Sequence, residues 1–336
     1  MALHAIEDIG DAFTATREFL LPFELRRWLK LAFVVLFVGS GMSLPTVQFD
    51  ASSGVDQPTG GELPTVSPDD WLLIGGIVGT IILLALLFAL VGAIMEFVFV
   101  ESLRTREVTV RRYWSRRWRQ GLRLFGFRLV IGLPVVGVVV GWMALLFVPI
   151  VYRGIDPIAT FGMLFFLGIP FLFLISLLYA LVASFTTAFV VPIMIKTDGG
   201  VLAGWRLLWG SIKAEPKQYF VYAVIVFVLS IAAGIAASLA VGLAAIGLVI
   251  PVAILGVLLS VTVSFSSTIV TVAFVGVVLL FVLALFVLWL LVQVPVVAYL
   301  RYYALFVLGD VDASLDLIPD QRADVRRRRE TRSNAE

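Results

Sequence analysis

The chain has no cysteine, and its 336 residues include one histidine, His4. Disulfides, thiolate nucleophiles and Cys-ligated metals are thereby excluded. His-based metal sites and Ser-His catalysis are excluded too, unless a partner supplies the imidazole. Charge is scarce: Asp, Glu, Lys and Arg make up 14% of the chain, against roughly a quarter in soluble domains. No phosphate loop, paired carboxylate or nucleophile–base set is present, and the Gly-Gly pairs lack a Lys-Ser context. The chain is expected to be no enzyme and to carry no cofactor or metal.

What fills the space is apolar. Hydrophobic residues form 61% of the sequence, more than a soluble core absorbs without large exposed patches. Several runs exceed the roughly 18 apolar residues that indicate a spanning helix. The chain reads as an all-α, polytopic membrane helix bundle. Expected spans lie at about 28–45, 71–100, 124–151, 165–195, 219–245 and 274–300, after an amphipathic helix over 1–20. The opening segment lacks the basic start, apolar middle and small-residue cleavage site of a signal peptide. Residues 319–336, ending in RRRRETRSNAE, read as a disordered basic tail.

The net charge of +2 hides a strong segregation. Of 25 basic residues, 24 fall in four regions: the N-terminal segment, 101–128, 196–218 and the end from Arg301. The remaining loops carry only Arg153, but also Asp50, Asp56, Glu62, Asp69, Asp70 and Asp156. Positive residues stay inside, so both termini and both basic connectors are expected in the cytoplasm, below the cell membrane. The number of spans is then even. Between Lys217 and Arg301 lie 83 uncharged residues, too few for four crossings with turns and too many for two. Six spans, with a re-entrant or short extra helix near 247–268 and SVTVSFSST as its turn, is the favoured count; eight is the alternative. The fourth apolar stretch, 158–195, is also overlong. A kink at Gly168-Ile169-Pro170, or an extension beyond the membrane, accommodates it.

The basic connectors resemble one another. RRYWSRRWRQGLR (111–123) and GWRLLWGS (204–211) share Trp-x-x-x-Trp, as Trp114 with Trp118 and Trp205 with Trp209. Val110, Trp114, Trp118, Leu122 and Phe125 fall on one helix face, as do Val201, Trp205, Leu208, Trp209 and Ile212. A weaker version uses Ile6, Ile9 and Phe13, with Glu7, Asp8 and Asp11 opposite. Each stretch precedes an outward-going span, which gives two readings: ordinary helical loops, or three parallel copies of a unit of interfacial helix, span out and span back. Val-Pro recurs in FVVPIMIK (189–196) and VQVPVVAY (292–299) but is missing at the end of the second span.

Arginine beside aromatic residues also fits nucleic acid. Here, however, the aromatics share an apolar face within a few residues of two spans. Trp114, Trp118, Trp205 and Trp209 with Arg111, Arg112, Arg116 and Arg117 are therefore read as interfacial anchors. Their partners are anionic lipid head groups, and nucleic acid is excluded.

Intramembrane polar residues are few: Glu96, Arg128 and Gln293. Glu96 falls near the inner boundary of the second span, and Arg128 can snorkel toward it. On consecutive spans the two are placed to form an ion pair, either as a structural interface or as a functional site. Gln293 reads as a helix–helix hydrogen bond. The small residues of AAGIAASLAVGLAAIG (232–247) predict tight helix packing. Pro134, Pro170, Pro192, Pro251 and Pro295 suit either kinked packing or the broken helices of transporters.

The Trp-bearing connectors, FVVPIMIK and VPVVAYLRYYALFVLGD (294–310) resemble a broad group of six-span membrane proteins. That group includes the membrane domain of some glycerophosphodiester phosphodiesterases and the YciC-like integral membrane proteins. AFTATREFLLPFELRRWLKLAFVVLFVG (12–39) is similar to the start of an uncharacterised haloarchaeal membrane-protein family. The resemblance implies six spans and brings no catalytic residue, since the phosphodiesterase's metal-binding domain is missing. The functional expectation is a non-enzymatic protein of membrane organisation or lipid and envelope homeostasis, with a small-solute or lipid permease as the alternative.

Overall fold

The computed structural model describes residues 4–38, 68–153, 157–262 and 268–333. The order is α1 (His4–Leu20), α2 (Leu25–Val38), α3 (Pro68–Thr105), α4 (Val110–Arg153), α5 (Pro157–Phe185), a π turn (Thr186–Val190), α6 (Val191–Thr197), α7 (Val201–Ala214), α8 (Pro216–Thr262), α9 (Thr268–Val311), a 3-10 turn (Ala313–Leu315) and α10 (Pro319–Ser333). No strand occurs among the described residues. Five helical stretches are long and apolar enough to cross a membrane, in α3, in α4, from α5 into α6, in α8 and in α9. The chain is a multi-pass membrane protein. The first expected span is described only as α2, and its remainder lies outside the described residues.

The uncharged stretch resolves differently from the expectation. Instead of a short extra helix, α8 runs unbroken through Pro251 to Thr262 and α9 starts at Thr268. Its 47 residues make a helix about 70 Å long, more than twice the hydrocarbon thickness. Two such helices, not four, account for this region among the described residues. With neither a charge nor a cluster of breakers, nothing in the stretch ends the helix. The centre of the expected turn, 263–267, lies outside the described residues.

In the fourth apolar stretch α5 continues through Pro170, and the helix changes form further on. The break is the π turn, where the Val191 N–H donates to the Thr186 carbonyl. Pro192 follows at once. Its ring has no N–H and would crowd the carbonyl four residues back, and widening the turn relieves that. Pro295 sits inside an uninterrupted α9, so the two Val-Pro sites differ in form.

Close packing also moved. Gly234, Gly242 and Gly247, in the stripe expected to pack tightly, have nothing within 4 Å of a Cβ position. Space is tight instead at Gly121 of α4, where a Cβ would lie 2.9 Å from the Ile94 Cα of α3. At Gly168 of α5 a Cβ would overlap the Trp142 indole.

The core gathers at one end, where the basic connectors lie. Phe97, Phe99, Leu103, Phe189, Ile193, Met194, Tyr302, Tyr303 and Phe306 are fully buried there. Tyr222 stacks on Tyr303 at 5.4 Å, and Phe189 meets Tyr222 at 4.7 Å. Toward the opposite end, side chains such as Leu84, Val140, Leu178, Leu243 and Leu279 are exposed. In lipid such surfaces cost nothing, because acyl chains are as apolar as leucine.

The amphipathic segments take three forms. Residues 111–123 are the first turns of α4, continuous with the span, not a separate interfacial helix. The counterpart α7 is a separate helix. In α1, Ile6 and Phe13 are exposed, as an interfacial face would be, while Asp8 and Asp11 on the other side are buried. The reason is α10. The segment expected as a disordered tail forms a helix whose Arg326 pairs with Asp8 at 3.2 Å and Asp11 at 3.4 Å. Arg329 reaches Asp11 and Arg328 reaches Glu18. Side chains distant in sequence thus pair across the two helices, and the polar face of α1 is buried against a basic helix.

Gly121→Ala must push α3 and α4 apart against backbone, costing on the order of 1–3 kcal/mol. Thermal unfolding in detergent should show a lower midpoint than wild type, whereas Gly234→Ala, facing open space, should not lower it.

Candidate functional site

Three helices meet around Glu96. The residue falls where α3 enters the buried core, flanked by Met95 and Phe97, and is itself buried. Its Oε1 accepts from Arg128 Nη2 of α4 at 3.2 Å, and its Oε2 accepts from Arg301 Nη2 of α9 at 2.7 Å. Arg128 Nη2 also donates to Thr187 Oγ1 at 3.0 Å. Thr187 belongs to the π turn, and its own hydroxyl donates to the Ala183 carbonyl at 2.7 Å. Beside it, Trp205 Nε1 of α7 donates to Thr186 Oγ1 at 3.1 Å. The widened turn therefore presents two hydroxyls, one to an arginine and one to a tryptophan. One carboxylate holds two guanidiniums, leaving the cluster with one positive charge in excess.

Sequence placement put Glu96 and Arg128 on neighbouring spans, and the structure brings them together. Arg301 and Thr187 join them without having been singled out. Arg301 was counted only as the first charge after a long apolar run, and its role depends on α9 passing beside α3. Gln293 is half-buried on α9, about two turns before Arg301, and is not part of the cluster.

Arg117 is a correction. It was expected at the lipid interface with Arg111, Arg112 and Arg116, which are exposed. Arg117 is buried, with Nη1 2.6 Å from Asp198 and Nη2 3.7 Å from Glu101. Its Nη1 also donates to Gln120, whose amide donates to the Met194 carbonyl at 3.0 Å. This arginine joins α3, α4 and the α6–α7 loop. Trp114 and Trp205 are half-buried against the core, whereas Trp118 (44%) and Trp209 (54%) are exposed. Arg119 lies over the Trp118 ring at 5.6 Å, and Lys213 over Trp209 at 5.9 Å.

A second charged cluster closes the same end. Asp310 of α9 is paired by both Arg322 and Arg326, and Asp316 is paired by Arg322 at 2.7 Å. Gln321 and Tyr302 donate to the Leu103 carbonyl at the end of α3. That satisfies a helix C-terminus that would otherwise be orphaned. Asp8 faces Asp310 from α9 and Arg326 from α10, with Asp11 on its own helix. Burial, then the Asp310 charge, pushes its carboxyl up to about 8. No group of three or more His, Asp and Glu residues with metal-site geometry occurs among the described residues. An open apolar groove of about 440 Å³ runs along α3, lined by Leu72, Gly76, Ile77 and Thr80.

With this geometry in view, comparison with known proteins places the chain. Residues 3–318 match the model of a family of unknown function, DUF7544, and the chain belongs to that family. No curated protein and no solved structure matches it. The family match carries no link to the phosphodiesterase membrane domains or the YciC-like proteins.

Glu96→Ala should destabilise the folded chain by on the order of 2–3 kcal/mol, since two guanidiniums lose their counter-charge and only partly reach solvent. Glu96→Gln, which keeps the shape, should cost less; chemical denaturation in mixed micelles separates the two. Asp8 has a second signature. Its folded value of about 8 lies above the unfolded 3.8. Its contribution is therefore full below about pH 4 and is lost as pH rises through about 8. Asp8→Asn, a fixed mimic of the neutral carboxyl, should flatten the fall in thermal midpoint between pH 6 and 9.

Proposed function

We propose that this is a non-enzymatic membrane protein that binds and organises lipid at the cytoplasmic face of an archaeal cell membrane. Six spans, with both termini in the cytoplasm, are inferred from the five long apolar helices, α2 and the positive-inside charge pattern. The resemblance to six-span membrane domains agrees with that count. A descent of the three amphipathic segments from one repeated unit is part of the same reading.

The observation that carries the reading is where large apolar side chains point. Ile6 and Phe13 of α1, Trp118 and Leu122 of α4, and Leu202 and Trp209 of α7 are all exposed. Around them stand exposed Arg111, Arg112, Arg116 and Lys213. None of these residues is needed to close the core, and apolar residues beside cations are what an interfacial helix inserts among head groups. A permease is the second reading. It draws on the Glu96–Arg128 pair and the prolines, and substituting both charged residues should then abolish a measurable flux in reconstituted vesicles.

Depleting the protein should change lipid composition, envelope stability or the inventory of membrane proteins. Cells indistinguishable from wild type in all three would overturn the reading. Orientation is read separately, on a chain naturally free of cysteine. Of single cysteines at positions 53 and 115, only that replacing Ser53 should react with an impermeant maleimide added outside.

A further inference from the structure

The excess charge at Glu96 is unspent binding capacity. Arg128 and Arg301 share one carboxylate, and among the described residues neither has a second acidic partner. Each guanidinium offers five N–H donors, yet Arg128 uses only Nη2, on Glu96 and Thr187, and Arg301 uses Nη2 on Glu96. None of their remaining nitrogens is buried without a partner. The unused donors therefore open to the surface: the Arg128 side chain is 26% exposed and that of Arg301 14%. A cation at the edge of an apolar bundle calls for a counter-ion, and planar guanidiniums favour tetrahedral oxyanions that accept two N–H bonds at once. Beyond Arg128, on the same side of α4 and in the direction of the span, Val136 and Val139 are exposed, an apolar track that begins about two turns on.

We propose that Arg128 and Arg301, held by Glu96 and Thr187, form a binding site for a phosphate group, carried by an anionic phospholipid whose hydrocarbon chains lie along α4. This deepens the lipid-binding reading above and rests on it. Glu96 has two effects on the site. It fixes both arginines, and it competes with the ligand for them.

The test uses the full-length chain in a neutral detergent, offered an equimolar mixture of phosphatidylglycerol and phosphatidylcholine, with retained lipid counted by native mass spectrometry. Wild type should keep one phosphatidylglycerol per chain with a preference of about tenfold, the scale of one charge-assisted hydrogen bond. Arg128→Gln should bring that preference close to one. Glu96→Gln, which removes the competitor but keeps the shape, should raise it, an effect that a purely structural ion pair does not produce. Lipid held loosely by exposed Arg111, Arg112 and Arg116 is common to all three proteins and cancels in the comparison. Inorganic phosphate identifies the source. If it raises the thermal midpoint of the wild type, but not of Arg128→Gln, without lipid selectivity, the site stands and its natural ligand is a free anion. Equal retention of both lipids by wild type, with no response to phosphate, overturns the proposal, as does a folded Arg128→Gln that keeps the preference. If Arg128→Gln does not fold, the wild-type preference and its direction of change in Glu96→Gln decide. Such a failure leaves the depletion experiment untouched, so the site and the broader reading fall separately.

Discussion

The buried carboxylate that receives an arginine from another helix is the interaction on which this bundle depends. In lipid, apolar helices gain nothing by hiding from water and associate only through close packing and polar contacts. The structure shows the consequence along the length of its spans. At one end, Glu96, Glu101, Asp8 and Asp316 are buried and paired, with half-buried Asp310 beside them, and the helices converge there. Toward the other end no side-chain ion pair occurs among the described residues, the glycines of α8 face open space, and the side chains of α8 and α9 are largely exposed.

These pairs are also the long-range restraints of the fold. Arg301 ties α9 to α3, Arg117 ties α4 to α3 and to the α6–α7 loop, and Arg326 ties α10 to both α1 and α9. Removing one partner from such a pair costs more than the pair contributes, because a charge is left buried. The arrangement is therefore demanding about connectivity even where its net stabilisation is modest. Aromatic packing of Phe189, Tyr222 and Tyr303 fills the same end of the bundle.

Much of the architecture was legible in the chain. Scarcity of charge and the length of the apolar runs led to a helical, multi-pass protein, and the position of Glu96 and Arg128 on consecutive spans anticipated their meeting. The failures share a physical cause. Helix periodicity in α1 separated apolar Ile6 and Phe13 from acidic Asp8 and Asp11, but it could not show that the acidic side is covered. That side is buried because a basic helix more than 300 positions away packs against it. Charge likewise sent Arg117 outward with its neighbours, and Asp198 and Glu101 brought it in. The small-residue stripe of α8 had the composition of a packing face, but no helix lies against its glycines.

By itself, the sequence determined what depends on local composition: helix content, apolar span length, the segregation of charge and the lack of any thiol. Only the tertiary structure decided which charges pair, which face of each amphipathic segment is buried, and where the helices close on one another. The reason is that burial of an ionised side chain depends on a counter-charge that can lie anywhere in the chain. Apolar periodicity describes one helix at a time and carries no record of its neighbours.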